Sequence, residues 1–272
     1  MQREKRKLAF VLVSTNHGTM IVNRLDYHMI SATGGHGVGL QLLEKGCFDP
    51  SEINLAINML GWRRKHYGDG VVAVDCGANI GVHTIEWATM MTGWGSVISI
   101  EAQERIYYAL AGNIAINNCF NAVAVHGAVS SESGVMQIPS PNYLVPSSFG
   151  SLELRQRDGN EFIGQTIDYT NLVNVRKIAL DEFDLPRVDL IKIDVEGMEM
   201  EVLAGAARAI ERHRPIMLIE KIKADAAALR MWLESRGYVI MEAGINLLVI
   251  HSTDRVLEDV MPMVQRTSQP AA

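Results

Sequence analysis

The sequence has little cysteine and no long apolar run, and both absences limit what the protein can be. Its three cysteines, Cys47, Cys76 and Cys119, show no CxxC pattern and no spacing typical of a Cys/His zinc site. We therefore expect reduced thiols in a cytoplasmic protein, without a disulfide framework. No stretch approaches the ~20 apolar residues of a membrane helix, and no small-residue cleavage site follows the basic, then apolar, start of the chain. We expect no membrane partner.

The sequence also lacks an excess of basic residues. Its 25 lysines and arginines are outnumbered by 31 aspartates and glutamates, which gives a formal net charge of −6. Because binding to a phosphate backbone needs a basic surface, this balance argues against a nucleic acid as the main partner. The 272 residues, 48% of them hydrophobic, suffice for one substantial core with appendages.

Residues 71–101 have the pattern of a nucleoside-binding β-α-β unit. An apolar run ends in Asp75, a turn with Gly77 and Gly81 follows, and a second apolar run ends in Glu101. Such glycines let the backbone approach a ligand, and an acid at the end of the second strand can bind a ribose diol. The acid before the glycines would repel a pyrophosphate and attract the cationic groups of S-adenosylmethionine. The pattern thus favours this cofactor over NAD, although a nicotinamide dehydrogenase remains the alternative.

From residue 71 onward, strands and helices alternate as in an α/β fold. Strands are expected at 71–75, 96–101, 121–126, 188–194, 215–220, 237–242 and 246–251. Helices are expected near 81–91, 104–117, 199–212 and 223–235. Near-continuous apolar strands predict a parallel sheet covered on both faces, and the short link 243–245 predicts an antiparallel last strand. We therefore predict a Rossmann-like, doubly wound sheet of seven strands that is parallel except for the last.

The segment before this sheet contains a predicted hairpin, a loop and a helix. Apolar runs at 8–13 and 19–23 flank a turn and predict the hairpin. The glycine-rich stretch 31–39 is predicted to be a mobile loop that can fold over the site. Asp49 is the expected N-cap of the helix, with Glu52 reaching back to it.

A second acidic motif follows the predicted fourth strand. Asp194 and Glu196 of IKIDVEG end this strand at the carboxyl edge of the sheet. Two carboxylates there can deprotonate an acceptor hydroxyl, steady a methyl-bearing cation or hold a divalent metal. Lys192 lies mid-strand and needs a partner, which Asp194 or Glu220 can supply; a structural ion network of these three is the alternative. His83, after the glycine turn, faces either the site or the surface.

Together these motifs resemble the FkbM-type family of S-adenosylmethionine-dependent methyltransferases. The matching stretches span 71–222 and are VDCGANIGVHT, IEAQE, LIKIDVEGMEMEVLAGA and RPIMLIE. The resemblance implies a class I methyltransferase sheet and methyl transfer to oxygen, typically on a sugar or a small natural-product-like acceptor. It implies that the cofactor is bound by Asp75, Gly77, Asn79, Gly81 and Glu101. A cofactor-binding protein without catalysis is the alternative from another class, and the paired acids argue against it.

The resemblance also implies that the acids of the second motif are the candidate catalytic residues. Of the two, Glu196 is the expected base, since Asp194 is in line with Lys192; a metal held by both acids is the alternative. We predict an N-terminal extension over 1–68, a methyltransferase domain over 69–252 with a substrate-side insertion at 135–180, and a C-terminal tail over 253–272.

Overall fold

The computed structural model describes residues 6–31 and 34–267, with side chains described up to residue 263. Its strands are, in chain order, β1 (Phe10–Thr15), β2 (Gly18–Asn23), β3 (His28–Met29), β4 (Gly35–His36), β5 (Val71–Cys76), β6 (Gly95–Glu101), β7 (Ala122–His126), β8 (Ala128–Val129), β9 (Gly134–Pro139), β10 (Leu172–Ile178), β11 (Leu190–Ile193), β12 (Ile216–Glu220), β13 (Tyr238–Ala243) and β14 (Asn246–His251). Its α-helices are α1 (Val38–Lys45), α2 (Pro50–Tyr67), α3 (Val82–Met90), α4 (Glu104–Ile116), α5 (Glu199–Gly205), α6 (Ala207–His213), α7 (Ala226–Glu234) and α8 (Leu257–Thr267).

A seven-stranded sheet forms the centre of the molecule, in the order β13-β14-β12-β11-β5-β6-β7. Neighbouring strands from β12 to β7 pair in parallel, whereas β14 is antiparallel to both β12 and β13. Every residue of β11 and β12 is buried, as expected of strands covered on both faces. The predicted Rossmann-like sheet with an antiparallel last strand is confirmed. Its strand order reverses between β5 and β11, where open α/β sheets bind ligands.

The N-terminal segment packs into the same core as this sheet. The predicted hairpin is present as β1 and β2, and its Met20 and Val22 belong to the cluster that contains Val71 of β5. The predicted helix is α2. Helix α1 was not predicted, because it begins after Gly37 with no side-chain cap and no acid in its first turn, so the usual start signals are missing.

The insertion between β7 and β11 forms a small sheet and a loop that returns over the site. Strand β10 pairs antiparallel with β9 and parallel with β8. In the connecting loop, Phe149 starts a single 3₁₀ turn and is fully buried in the main core. The Phe149 amide donates to Asp26 of the N-terminal segment at 3.0 Å, so the insertion is fixed to the start of the chain.

The C-terminal segment, predicted as a tail, contains helix α8. Val260 of this helix is buried in the core, and Asp259 accepts bonds from Lys65 and His66 of α2. The division into three segments, with a C-terminal tail over 253–272, stays a proposal. Among the described residues, no helix combines the length and apolarity needed to cross a membrane.

Candidate active site

A cavity of about 460 Å³ lies at the carboxyl edge of the sheet, and its size is typical of sites for small molecules. The glycine turn after β5, the end of β6 and the acidic turn after β11 form its floor. The start of α2 and the insertion loop complete its walls. The strand-order reversal therefore brings both sequence motifs to one cavity, together with segments from outside them.

The glycine turn has the backbone geometry that its sequence predicts. Gly77 and Gly81 adopt left-handed φ values of 79° and 89°, which glycine reaches without strain. Asn79, between them, is also left-handed at φ 50°, and its side-chain oxygen accepts from the amide of Ile80 at 2.7 Å. Gly77 and Asn79 line the cavity, and Gly81 caps helix α3.

Glu101 lies in the cavity wall at the end of β6 and is 6% exposed. Its two carboxylate oxygens accept from the amides of Asn79 at 3.0 Å and Gln103 at 2.7 Å. Burial raises the pKa of Glu101 to about 7, although these bonds oppose the rise. Since each oxygen has a further lone pair, Glu101 can still accept from the hydroxyls of a ligand.

Asp75 is not brought to the cavity wall. It is fully buried, and its Oδ2 accepts from the Thr84 hydroxyl at 2.8 Å, while its Oδ1 has no hydrogen-bond partner. The other four predicted cofactor residues cluster at or beside the cavity. Direct contact of Asp75 with a cofactor stays a prediction that this placement does not support.

The acids of IDVEG line the cavity and are held by two lysines. Lys192 Nζ lies 2.8 Å from Asp194 Oδ2. Burial lowers the pKa of Lys192, but the charges of Asp194, Glu52 and other acids outweigh it and raise the pKa above its usual value. Lys223 lies 2.5 Å from Glu196 Oε2. Burial and the charge of Asp194 raise the pKa of Glu196, against the effect of Lys223.

Lys223 was missed by the sequence reasoning, although a signal existed. It follows β12 by three residues, so it lies just beyond the edge at which β11 presents its acids. Besides Glu196 it contacts Glu161 of the insertion at 2.9 Å and donates to the carbonyl of Ser151 at 2.9 Å. Lys223 thus links the acidic turn to the insertion loop.

The start of α2 also contributes to the cavity, which the sequence did not predict. Glu52 lies 3.2 Å from His83 Nε2 and accepts from the Asn246 side chain at 2.7 Å. Burial raises the pKa of Glu52, but His83 and the charge of Lys192 outweigh it and hold the pKa at about 2. Glu52 therefore does not reach back to Asp49 as a helix cap. His83 lines the cavity and is not a surface residue.

The fold and this cavity define a Rossmann-like methyltransferase. The family model described as the methyltransferase FkbM domain matches residues 75–240, more than half of the chain. The chain belongs to this family, as the sequence motifs predicted.

Named relatives are also methyltransferases. Methyltransferase sdnD of Sordaria araneosa is 26% identical over 204 residues, which cover 67% of this chain and 73% of that protein. Methyltransferase 1 of Beauveria bassiana is 25% identical over 190 residues, which cover 64% and 74% of the two chains. The crystal structure of methyltransferase FkbM from Methylobacillus flagellatus is 19% identical, with a TM-score of 0.47; the similarity covers 72% of this chain and 48% of that chain.

Proposed function

We propose that the protein transfers the methyl group of S-adenosylmethionine to a hydroxyl oxygen of a sugar or small natural-product-like acceptor. The observation that carries the proposal is the buried acid Glu101 beside the glycine turn, in a cavity shared with the acids of IDVEG. When bound, S-adenosylmethionine supplies an electrophilic methyl group. The three cysteines are free thiols, which is compatible with the cytoplasmic location that we also propose.

The cofactor would be held by the turn after β5 and by Glu101. Gly77 and Asn79 of this turn line the cavity, so their backbone would contact the cofactor. The Glu101 carboxyl, fixed by two backbone amides, would accept from the ribose hydroxyls. Asp75 would act from behind the turn, through its bond with Thr84 at the start of α3.

We propose Glu196 as the general base. An alcohol is a poor nucleophile, and a carboxylate that takes its proton during attack is typically worth ~10²–10⁴-fold in rate. Because burial raises the pKa of Glu196, its carboxylate is a stronger base than an ordinary glutamate. Asp194 is paired with Lys192 at 2.8 Å. We therefore propose an electrostatic role for Asp194, in which its ion pair with Lys192 holds the acidic turn in place.

A divalent metal at these acids is the alternative. Ligand oxygens of Asp194, Glu196 and Glu220 all lie within 4.8 Å of one another. However, Lys192 and Lys223 already neutralise two of the three acids, so a cation would have to compete with both lysines for these carboxylates. We therefore propose a reaction without metal. Loss of activity with a chelator, restored by magnesium, would favour the metal instead.

The proposal is tested by methyl transfer from labelled S-adenosylmethionine to a panel of sugars, glycans and small hydroxylated molecules. We expect label to enter an acceptor as a base-stable methyl ether, and the variant Glu101→Ala to lose this transfer. Transfer of label to nitrogen in every acceptor would contradict the assignment to oxygen. Hydride transfer with NAD, without methyl transfer, would contradict the proposed reaction.

A further inference from the structure

Two acids at the start of α2 line the cavity although the sequence predicts them as helix caps. Asp49 occupies the N-cap position with φ 32°, yet its side chain makes no capping hydrogen bond. An N-cap aspartate normally adopts an extended backbone and accepts from the helix amides. Left-handed backbone at a non-glycine residue costs free energy and is concentrated at functional sites. The carboxylate of Asp49 is therefore available to a ligand in the cavity.

Glu52 lies beside it as a buried, ionised acid. The side chain of Glu52 is 13% exposed, and the low pKa of about 2 keeps it charged at neutral pH. Asn246 fixes its orientation from β14. Two negative groups thus share one wall of the cavity.

His83 completes this wall with a ring nitrogen whose hydrogen bonding is incomplete. Its side chain is 8% exposed, and although Nε2 lies 3.2 Å from Glu52 Oε1, this nitrogen makes no hydrogen bond of good geometry. A buried polar atom without a partner normally has one in the functional state. The two acids can bind an ammonium group, and the ring nitrogen can donate to a carboxylate. Such a wall therefore matches a ligand that carries both groups on one carbon atom.

The wall formed by Asp49, Glu52 and His83 lies where the amino-acid end of S-adenosylmethionine is expected. Glu101 ends β6, whereas His83 follows β5 and Asn246 begins β14, on the far side of β5 from β6. If Glu101 holds the ribose and the chain toward sulfur crosses the glycine turn from the β6 side, the amino-acid end would lie at the start of α2.

We propose that Asp49 and Glu52 bind the α-ammonium group of S-adenosylmethionine and that His83 donates from Nε2 to its α-carboxylate. This assignment rests on the proposed function. Charge-assisted hydrogen bonds of this kind are about twice as strong as neutral ones. Asp49 and Glu52, which precede the matched family segment at 75–240, would then bind the cofactor and not the acceptor.

The test compares two ligands that differ only at the proposed contact. S-adenosylhomocysteine carries the amino-acid end, whereas 5′-methylthioadenosine has the same adenosine and thioether without it. Calorimetry measures both Kd values for the wild type, Asp49→Asn and Glu52→Gln. Glu44→Gln is the matched control, because Glu44 is an exposed acid on α1 that does not line the cavity.

We expect each of the two variants to raise the Kd of S-adenosylhomocysteine about tenfold and to leave that of 5′-methylthioadenosine within about twofold. Glu101→Gln should raise the Kd of both ligands. Asparagine tolerates left-handed backbone, so Asp49→Asn should fold even if Glu52→Gln does not. Equal effects on both ligands, or no effect on either, would overturn the assignment while leaving the cofactor site intact. If the wild type bound neither ligand, the proposed function itself would fail.

Discussion

Gly77 packs directly against the backbone of Asp194: a Cβ atom on Gly77 would lie 1.8 Å from the Asp194 carbonyl oxygen. The Asp194 amide in turn donates to the carbonyl of Cys76 at 3.1 Å. These contacts join the glycine turn after β5 to the acidic turn after β11. The two motifs therefore contact each other through their backbones at the carboxyl edge.

This contact predicts that Gly77→Ala disrupts both turns. The new methyl group meets backbone that cannot rotate away, and the left-handed φ of 79° adds strain. We expect a loss of roughly 3 kcal/mol or more in the free energy of unfolding, together with loss of cofactor binding. Urea unfolding and calorimetry measure the two effects.

Gly61→Ala is the control for this variant. Gly61 is inside helix α2, and a Cβ there would meet nothing within 4 Å. Alanine in a helix interior should stabilise the protein by ~0.5–1 kcal/mol. Gly77→Ala with wild-type stability and cofactor affinity would show that the close contact with Asp194 is not required.

Replacement of the proposed base should affect turnover and spare binding. Glu196→Gln keeps the shape of the side chain but removes its basicity, so we expect kcat to fall ~10²–10⁴-fold with little change in cofactor affinity. Single-turnover methyl transfer and calorimetry measure the two quantities. The exposed Glu211 on α6 provides a control, Glu211→Gln, that should behave as the wild type. Wild-type turnover in Glu196→Gln would remove Glu196 from the mechanism.

The contact between Lys223 and Glu196 allows the assignment of Glu196 as the base to be tested by the pH dependence of the rate. Its contact with Glu196 lowers the pKa of that acid against the effect of burial. Without the lysine charge, the pKa of Glu196 should rise, and a base is active only when unprotonated. Lys223→Met should therefore move the acidic limb of the pH–rate profile to higher pH. If the acidic limb does not shift, the group that titrates in the profile is not Glu196.

Asp26 predicts a pH dependence of stability. Its carboxylate is 2% exposed and accepts from the amides of Gly39 and Phe149. Burial raises its pKa from 3.8 to about 6, although both bonds oppose the rise. Because the folded state then binds the proton more tightly, this contribution to stability is complete below about pH 4 and is lost as pH rises through about 6, by up to ~3 kcal/mol.

The variant Asp26→Asn should remove this titration. The difference in the free energy of unfolding between wild type and variant, measured by urea unfolding between about pH 4 and pH 7, should shift in favour of the variant as pH rises. Parallel curves would show that Asp26 keeps an ordinary pKa in the folded protein.

The glycine-rich stretch 31–39 stays a predicted lid, although Gly35–His36 form β4, α1 begins at Val38, and residues 32 and 33 lie outside the described part of the chain. A Cβ on Gly37 would lie 2.4 Å from the carbonyl oxygen of Asp26, whereas one on Gly34 would meet, among the described residues, only the Ser31 hydroxyl at 3.0 Å. Gly34→Ala should thus stiffen the loop, lower kcat and preserve the melting temperature. Gly37→Ala should lower stability itself. Parallel losses of activity and stability in Gly34→Ala would indicate a structural loop.

Particular residues show which parts of the fold and of the candidate site can be predicted from the sequence. Glu101 was predicted as a candidate because an acid ends an apolar strand, and the reversal of β14 was predicted because its link is too short for a crossover. Asp49 and Glu52 were not, because the same spacing fits a helix cap, and only the folded structure brings Glu52 beside Asn246. The position of Asp75 behind the glycine turn likewise depends on tertiary packing.

Thermal unfolding with added cofactors tests the central claim most directly. A ligand that binds the folded state stabilises it by mass action, by ~2.7 kcal/mol at a hundredfold excess over Kd. We predict that S-adenosylmethionine and S-adenosylhomocysteine raise the Tm of the wild type, that Glu101→Ala abolishes the shift, and that NAD has no effect. A rise in Tm with NAD, and none with S-adenosylmethionine, would contradict the account.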